Sequence, residues 1–371
     1  MLRSARFRQW AGNLLAVCLG LLMLVVLAVS AEVFLRVKAR LAVRDTAPAV
    51  VSRMDGSISQ DGILGTEVAP NSTVHCTAIK GDTVIYDATC AIDSRGHRIT
   101  PCGASGEASN VALFFGCSFT FGQGVADDET LPARYCAHAE NTVSYNYGMA
   151  AYGPQQMWMQ IKNLGVLEEY AGREGIIVYT FFGDHMNRLV GSPAILSQWP
   201  YPPPWLEVRD GAVEYLGTFR DRSPLQYLLY RSASRLHVAR FVANRVSRMQ
   251  ASEKTFDRGL RLLARILQEC ADTAESTAPG LKFYCVLFPH SSRQWGKPLK
   301  GLLEGSNVHV LDYLELFNRT PHTMEELYFK DSAEYQWGHP KPLCYDLIAR
   351  QLSRDVQGAP EDSRPAGSVA P

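Results

Sequence analysis

The sequence lacks any long run of charge of one sign. Its 371 residues contain 37 Lys and Arg against 37 Asp and Glu, and the isoelectric point is near 7.1. Nucleic-acid binding needs a concentrated basic surface, so this balance argues against a nucleic acid as the main partner. The nine cysteines include no C-x-x-C pair. A zinc site is therefore not expected, and no residue pattern calls for another metal.

Charge is also absent between Arg8 and Glu32. The intervening stretch Ala11–Ala31 is dominated by Leu, Val and Ala, and about 20 apolar residues span a bilayer as a helix. The pattern predicts a transmembrane anchor over 11–31 that follows a basic cytoplasmic segment over 1–10. A cleaved secretory signal is the alternative, because Val29-Ser30-Ala31 resembles a cleavage site. The apolar run is longer, however, than the usual signal core of about 7–15 residues.

The composition then divides the rest of the chain. Residues 32–61 are predicted to form a juxtamembrane stalk, and the alternating residues of 62–109 predict a small β segment. Residues 110–357 form the main domain, and a tail rich in Pro, Gly, Ser and Ala over 358–371 is expected to be disordered. In an oxidising compartment some cysteines could pair, for instance Cys76 with Cys90 across a predicted hairpin. Spacing alone does not fix the connectivity.

Strands alternate with helices in the main domain. Short apolar runs predict strands over 111–115, 142–145, 176–182, 281–288 and 308–311, with helical segments such as 130–139 and 154–171 between them. This order predicts an α/β fold, a three-layer α/β/α sandwich around a central parallel sheet. Functional sites in such sheets lie at the carboxyl ends of the strands.

A serine directly follows the first of these strands. Ser118 lies between Gly116 and Gly122, which allows a tight turn from strand to helix. Such a turn would place the Ser118 Oγ at the edge of the sheet and leave its backbone N–H free to face a substrate oxygen. A short G-x-S pattern is weak evidence by itself, because serine is also a common helix N-cap.

The wider sequence is more specific. The run Gly116-Cys-Ser-Phe-Thr-Phe-Gly122, followed by Gly124-Val-Ala-Asp-Asp-Glu-Thr-Leu-Pro132, resembles the first block of the SGNH (GDSL-type) esterases, in the version of membrane-anchored bacterial members. Cys117 stands where aspartate is commonest. The resemblance covers roughly 62–352 and implies a flavodoxin-like SGNH hydrolase domain. It also implies Ser118 as nucleophile, no cofactor, and a location outside the cytoplasm on the bacterial inner membrane, in the periplasm.

Two further blocks concern the oxyanion hole. The run Tyr145-Asn-Tyr-Gly148 resembles the family's glycine loop, which implies that the Gly148 N–H joins the Ser118 N–H in holding the oxyanion; the alternative is a simple turn glycine. The family's Gly-x-Asn-Asp is replaced by Gly183-Asp-His-Met-Asn187. Counting from the glycine places His185 at the asparagine position, where an imidazole N–H can donate the same bond. Asn187 is the alternative donor, and His185 could instead cap the next helix or pair with Asp184.

The last block supplies the general base. His339 precedes Pro340 and a final amphipathic helix, and this setting resembles that of the family's catalytic histidine. The carboxylate usual two or three residues earlier is missing, because those positions hold Trp337 and Gln336. Glu334 is taken as the third catalytic residue. Asp331, or a backbone carbonyl in a Ser–His dyad, is the alternative.

The resemblance implies a serine esterase that cleaves O-acyl esters, acetyl above all, of a cell-envelope glycan or another small ester. An O-acyltransferase with the same Ser118 and His339 is one alternative. A non-catalytic glycan-binding or assembly protein of the same fold is the other. The distance between the Ser118 Oγ and the His339 ring separates catalysis from binding, since a nucleophile and its base lie about 2.6–3.2 Å apart. The sequence does not predict the oligomeric state.

Overall fold

The computed structural model describes residues 2–43, 50–56, 58–102, 108–192, 196, 202–233, 235–250, 253–289, 293–331 and 337–357. The tail predicted over 358–371 and the acid Glu334 lie outside these ranges.

The chain begins with one long helix, α1 (Leu2–Val43). Within it, Asn13–Lys38 is the one stretch in the described part of the chain that is long and apolar enough to cross a membrane. The most apolar 18-residue window of this stretch is not buried against the rest of the protein, unlike a helix in the core of a soluble protein. The helix also continues to Val43, so much of the predicted stalk is helical.

A β appendage follows α1. Its main sheet is antiparallel, with strand order β1-β4-β5, and a second hairpin pairs β2 with β3. The five strands are β1 (Val50–Gly56), β2 (Ile58–Gly62), β3 (Gly65–Val68), β4 (Thr73–Lys80) and β5 (Thr83–Ala91). The appendage therefore begins at Val50, twelve residues before the predicted boundary of 62. Alternation in β1 is weak because most of its side chains are exposed, which explains why the pattern missed it.

Cys76 and Cys90, given above as one possible pair, are not joined in the structure. The disulfide joins Cys102 to Cys136 and so ties the segment before the central sheet to a helix of the main domain. Cys76 and Cys90 are buried free thiols on neighbouring strands. In the strand register Cys90 lies opposite Val74, not opposite Cys76, so the two cysteines are diagonal neighbours.

The central sheet has five parallel strands in the order β12-β11-β8-β6-β7. They are β6 (Asn110–Phe115), β7 (Thr142–Asn146), β8 (Glu174–Phe181), β11 (Leu281–Leu287) and β12 (Val308–Asp312). A separate hairpin, β9 (Pro204–Arg209) with β10 (Ala212–Thr218), lies in the connection between β8 and β11. The predicted α/β architecture is confirmed.

Helices cover both faces of this sheet. The helices after α1 are α2 (Ser118–Phe121), α3 (Leu131–His138), α4 (Pro154–Trp158), α5 (Asp184–Leu189), α6 (Phe219–Arg222), α7 (Pro224–Ala233), α8 (His237–Gln250), α9 (Glu253–Thr277), α10 (Arg293–Leu303), α11 (Met324–Leu327) and α12 (Pro342–Gln357). Alternate residues of β6 face opposite cores: Leu113 packs with α9 and the β appendage, and Phe114 packs with α3 and α12. The predicted helix over 154–171 is interrupted, because Gly165 adopts a positive φ of 62°.

Candidate active site

The turn over 116–122 carries Ser118, the predicted nucleophile, and is called the nucleophile turn below. It depends on glycines at both ends. Ser118 is the first residue of α2, and Gly122, in the left-handed conformation at φ 84°, ends that helix. A Cβ at Gly116 would overlap the hydroxyls of Thr120 and Thr180, which are hydrogen-bonded to each other at 2.5 Å. The turn can therefore pack tightly under Ser118 only with glycine at position 116.

A buried arginine from the end of the β appendage braces this turn. Arg98 Nη1 donates to the carbonyls of Phe121 (2.9 Å) and Gly122 (2.5 Å), and its Nη2 donates to Val125 O at 2.7 Å. Its Nε contacts Asp127 at 2.8 Å. The guanidinium thus satisfies the carbonyls that α2 leaves unpaired at its C-terminus, so appendage and nucleophile turn form one unit.

Ser118, His339 and Asp331 form a continuous hydrogen-bonded chain. The His339 Nε2 lies 2.9 Å from the Ser118 Oγ, and the His339 Nδ1 lies 2.5 Å from the Asp331 Oδ2. The backbone N–H of His339 donates to the Asp331 Oδ1 at 2.8 Å. Both oxygens of one carboxylate therefore hold the histidine.

Local backbone pairing explains how Asp331 reaches a histidine eight residues away. Gly338 N donates to Phe329 O, and Phe329 N donates to His339 O, both at 2.8 Å. The segments on either side of 332–336 therefore run antiparallel, which brings Asp331 alongside His339. Glu334, the acid expected from the sequence, lies outside the described residues, and the contacts expected of it are made by Asp331.

The Asp331 carboxylate is 6% exposed. Burial by itself raises the pKa of such a group, but the charge of His339 and hydrogen bonds from His339 and Tyr86 outweigh it, so the pKa of Asp331 is lowered. Asp331 is thus held ionised where it can orient the His339 ring and stabilise a positive charge on it.

Tyr86, from strand β5, also contacts Asp331. Its hydroxyl donates to the Asp331 Oδ2 at 3.1 Å, and it accepts from the Gln123 Nε2 at 2.9 Å. Burial and the nearby Asp331 charge raise the pKa of Tyr86, so the hydroxyl stays protonated and can donate. Gly124 faces the Tyr86 ring, and a Cβ at that glycine would lie 2.8 Å from a ring carbon. The appendage therefore completes the surroundings of the Asp331 carboxylate.

Gly148 approaches the nucleophile turn closely. A Cβ there would lie 2.6 Å from the Thr120 Cβ and 2.8 Å from the Phe121 N, so no larger residue fits. Its N–H donates to the Asn146 Oδ1 at 3.1 Å, and the Asn146 Nδ2 donates to Thr120 O at 3.0 Å. The hydrogen bonds of Asn146 thus link the glycine loop to α2.

His185 is fully buried. Its Nδ1 lies 2.7 Å from the Tyr179 hydroxyl, and its Nε2 has no hydrogen-bond partner among the described residues. Burial, with a smaller contribution from Arg188, holds the pKa of His185 well below its usual value, so the ring is neutral. Because the side chain has no exposed surface, it cannot reach a substrate from this position.

Asn187, the alternative donor, points away from the nucleophile turn. It is exposed, and its Nδ2 donates to the Asp184 Oδ1 at 2.9 Å. Asp184 also pairs with Arg188 at 3.2 Å, whose Nη1 donates to Tyr152 O at 2.5 Å. The residues that replace the family's third sequence block, 183–188, therefore join α5 to the glycine loop. They are called the third block below.

The sequence named Asp331 only as an alternative to Glu334, and it did not indicate Tyr86 or Arg98. Tyr86 lies in an alternating strand and Arg98 near its end, so both have the pattern of ordinary β residues. Nothing in the sequence around Tyr86 or Arg98 shows that these side chains are buried beside the nucleophile turn. Within the described ranges, no cluster of three or more His, Cys, Asp or Glu could hold a metal ion.

Comparison with known proteins gives matches among solved structures only. No family model and no curated protein matches the chain. A member of the lipolytic G-D-S-L family from Veillonella parvula has 14% identity and a TM-score of 0.37, covering 66% of this chain and 96% of that one. The chain itself has an α/β fold built on a five-stranded parallel sheet.

Other similar structures are esterases. The psychrotrophic esterase EstA from Pseudoalteromonas sp. has 11% identity and a TM-score of 0.36, covering 67% of this chain and 97% of that one. A family two carbohydrate esterase from Clostridium thermocellum has 9% identity and a TM-score of 0.38, covering 83% of this chain and 98% of that one.

Proposed function

We propose that this protein is a serine esterase anchored to a membrane by α1. The observation that carries the proposal is the hydrogen-bonded chain from Ser118 through His339 to Asp331. Nucleophile and base lie within the range expected of catalytic partners, and a third group orients the base. A protein that only binds its ligand has no need of this alignment.

In the proposed mechanism, the His339 Nε2 accepts the Ser118 proton while the Ser118 Oγ attacks the ester carbonyl. The Asp331 carboxylate holds the Nδ1–H and stabilises the imidazolium that forms. His339 then protonates the leaving alcohol, and water removes the acyl group from Ser118 in a second attack. An acceptor hydroxyl in place of water would make the same site an acyltransferase.

The oxyanion is assigned to backbone amides. Ser118 is the first residue of α2, where an N–H has no partner within its own helix. The Gly148 N–H is the second donor, released when the oxyanion replaces the Asn146 Oδ1 that it now contacts. His185, which is fully buried, is assigned to packing rather than to the oxyanion.

We propose short-chain acyl esters, acetyl above all, on a cell-envelope glycan as substrates. Two observations support this choice. Ser118 is only 8% exposed, and the ring of its neighbour Phe119 lies against Phe182, at 4.5 Å between centroids, and His339, at 5.5 Å. Such a confined site favours a small acyl group. The membrane helix would keep the enzyme beside the envelope.

The experiment is hydrolysis of p-nitrophenyl esters by the full chain in detergent. We expect wild-type protein to prefer acetate over octanoate. Ser118→Ala and His339→Ala should lose activity by at least about a thousand-fold, whereas Cys117→Ala, next to the nucleophile, should stay near wild type. Equal rates for wild type, Ser118→Ala and His339→Ala would overturn the enzyme proposal. A preference for octanoate would overturn only the proposed acyl group.

Transfer and location need separate measurements. Acetyl transfer to an added glycan, followed by mass, would show an acyltransferase; release of acetate alone supports the hydrolase. A reporter fused after Pro371 should be active only outside the cytoplasm. Activity confined to the cytoplasm would contradict the proposed orientation.

A further inference from the structure

The helix pair α7–α8 exposes several large apolar side chains. Their exposed fractions are 82% for Leu225, 62% for Leu228, 44% for Leu236, 65% for Phe241 and 39% for Val242. Large exposed apolar surfaces usually mark a site of contact with another molecule or a membrane. We define these five residues as the hairpin surface.

The start of α8 is bound to the membrane-spanning helix. The Glu32 carboxylate on α1 accepts hydrogen bonds from the backbone N–H groups of His237 (3.1 Å) and Val238 (2.8 Å). Arg36, one turn along α1, contacts Glu32 at 2.7 Å and donates to Arg235 O at 3.4 Å. Glu32 therefore caps α8, and its charge opposes the positive end of the α8 dipole.

This cap fixes the depth of α8 relative to a bilayer. Glu32 is the first charged residue after the apolar stretch Ala11–Ala31, and a helix rises about 1.5 Å per residue. The N-terminus of α8 therefore lies where α1 leaves the hydrocarbon core. A carboxylate at that depth needs polar partners, and the amides of α8 together with Arg36 supply them.

The hairpin surface continues from this cap. Phe241 lies four residues after His237, about 6 Å further along the helix. Residues three and four apart share a helix face, so Phe241 and Val242 lie on the same face of α8 as Val238. Arg240 and Arg245 on α8 are also exposed. Apolar residues flanked by arginines are typical of helices that lie in a membrane interface.

We propose that α7 and α8 lie in the interface of an anionic phospholipid bilayer. The hairpin surface enters the boundary between head groups and acyl chains, and Arg240 and Arg245 face the lipid phosphates. The proposal rests on the membrane anchor proposed above and is independent of the esterase chemistry. Its consequence is a fixed orientation: the catalytic domain is held against the membrane rather than at the end of a flexible tether.

Spin labels on the full chain test this placement. Cys18 is the one exposed free cysteine in the described part of the chain, so Cys18→Ala provides the background. Labels are attached at Phe241→Cys and Leu228→Cys, with Val84→Cys, 58% exposed on the β appendage, as the matched control. Each protein is reconstituted in vesicles of phosphatidylcholine and phosphatidylglycerol. Collision with oxygen is then compared with collision with a water-soluble nickel chelate.

We expect oxygen to reach the labels at 241 and 228 more readily than the chelate, and the reverse at 84. In vesicles of phosphatidylcholine alone the preference for oxygen at 241 should fall. Chelate access at 241 and 228 equal to that at 84 would overturn the proposal. So would low access to both reagents with spin–spin broadening, which would show a second copy of the chain on this surface.

Two controls separate the possible failures. Labelled protein that does not float with the vesicles would contradict the anchor and the interface proposal together. Hydrolysis of p-nitrophenyl acetate by the labelled variants should equal that of wild type, because neither label touches the active site. If the labels at 241 and 228 were as accessible to the chelate as the label at 84 while esterase activity stayed full, only the interface proposal would be overturned.

Discussion

The hydrogen bonds on the two sides of Ser118 differ in how well they fit the proposed reaction. On the base side, His339 and Asp331 are aligned at hydrogen-bonding distances, and Tyr86 holds the acid from a separate sheet. On the opposite side, Gly148 is bound to Asn146, and His185 is fully buried. In the proposed mechanism, the groups that move the proton are therefore already aligned, whereas the Gly148 N–H must leave the Asn146 Oδ1 before it can bind an oxyanion.

This difference indicates which substitutions should matter. In the proposed mechanism, groups on the base side act on the reacting atoms through short contacts, so changing them should affect turnover. Groups of the third block contact other protein atoms only, so changing them should affect stability. The predictions below test that division, from the largest expected effect to the smallest.

Asp331→Asn should cause the largest loss among residues other than the nucleophile and base. An amide cannot stabilise the imidazolium, and the equivalent change in a well-studied triad lowers turnover about ten-thousand-fold. Glu334→Gln is the matched comparison and should stay within about twofold of wild type, because Asp331 already occupies both the Nδ1 and the backbone N–H of His339. The measurement is kcat on p-nitrophenyl acetate. A larger effect from Glu334→Gln would show that the wrong acid has been assigned.

Tyr86→Phe should lower kcat/KM by roughly tenfold, since a hydrogen bond to a charged group contributes about 1.5–3 kcal/mol. The Tyr86 bond helps to lower the pKa of Asp331, so its loss raises that pKa. As the pH falls, Asp331 is then protonated at a higher pH than in wild type. The acid limb of the pH–rate profile should therefore shift to higher pH.

Ser52→Ala is the control for Tyr86→Phe. Ser52 contacts the same hydroxyl at 3.0 Å but makes no described hydrogen bond to Asp331, so its rate and pH profile should match wild type. If Tyr86→Phe lowered the rate without moving the acid limb, Tyr86 would be a structural residue only and the proposed positioning role would be lost.

His185→Asn should change kcat by less than about threefold while lowering thermal stability. The substitution replaces a fully buried ring hydrogen-bonded to Tyr179, and such changes cost about 1–3 kcal/mol. Turnover and the melting temperature are measured on the same preparation. A hundred-fold fall in kcat with an unchanged melting temperature would identify His185 as an oxyanion donor after all.

Asn187→Ala should have the smallest effect, within about twofold in kcat and about 0.5 kcal/mol in stability. Its side chain is exposed and bonds only to Asp184 one turn away among the contacts described. A marked fall in kcat measured under saturating substrate would place Asn187 in the site and contradict the present geometry.

The sequence by itself determined the order of elements in the main domain and two of the three aligned residues. The three inner strands of the parallel sheet, β6, β8 and β11, are buried on both faces, so each appears in the sequence as a short apolar run. Ser118 and His339 directly follow or precede such elements within recognisable motifs. The helix long and apolar enough to cross a membrane was equally evident, because its apolar length is a property of one continuous segment.

Only the tertiary structure decided the rest. Asp331 meets His339 because the segments around 332–336 pair in antiparallel fashion, and that pairing depends on backbone hydrogen bonds rather than on a fixed spacing. Tyr86 lies 245 residues from the acid it contacts, and Cys102 pairs with Cys136 rather than Cys76 with Cys90. Contacts between distant segments follow from how the layers pack, and no local pattern specifies them.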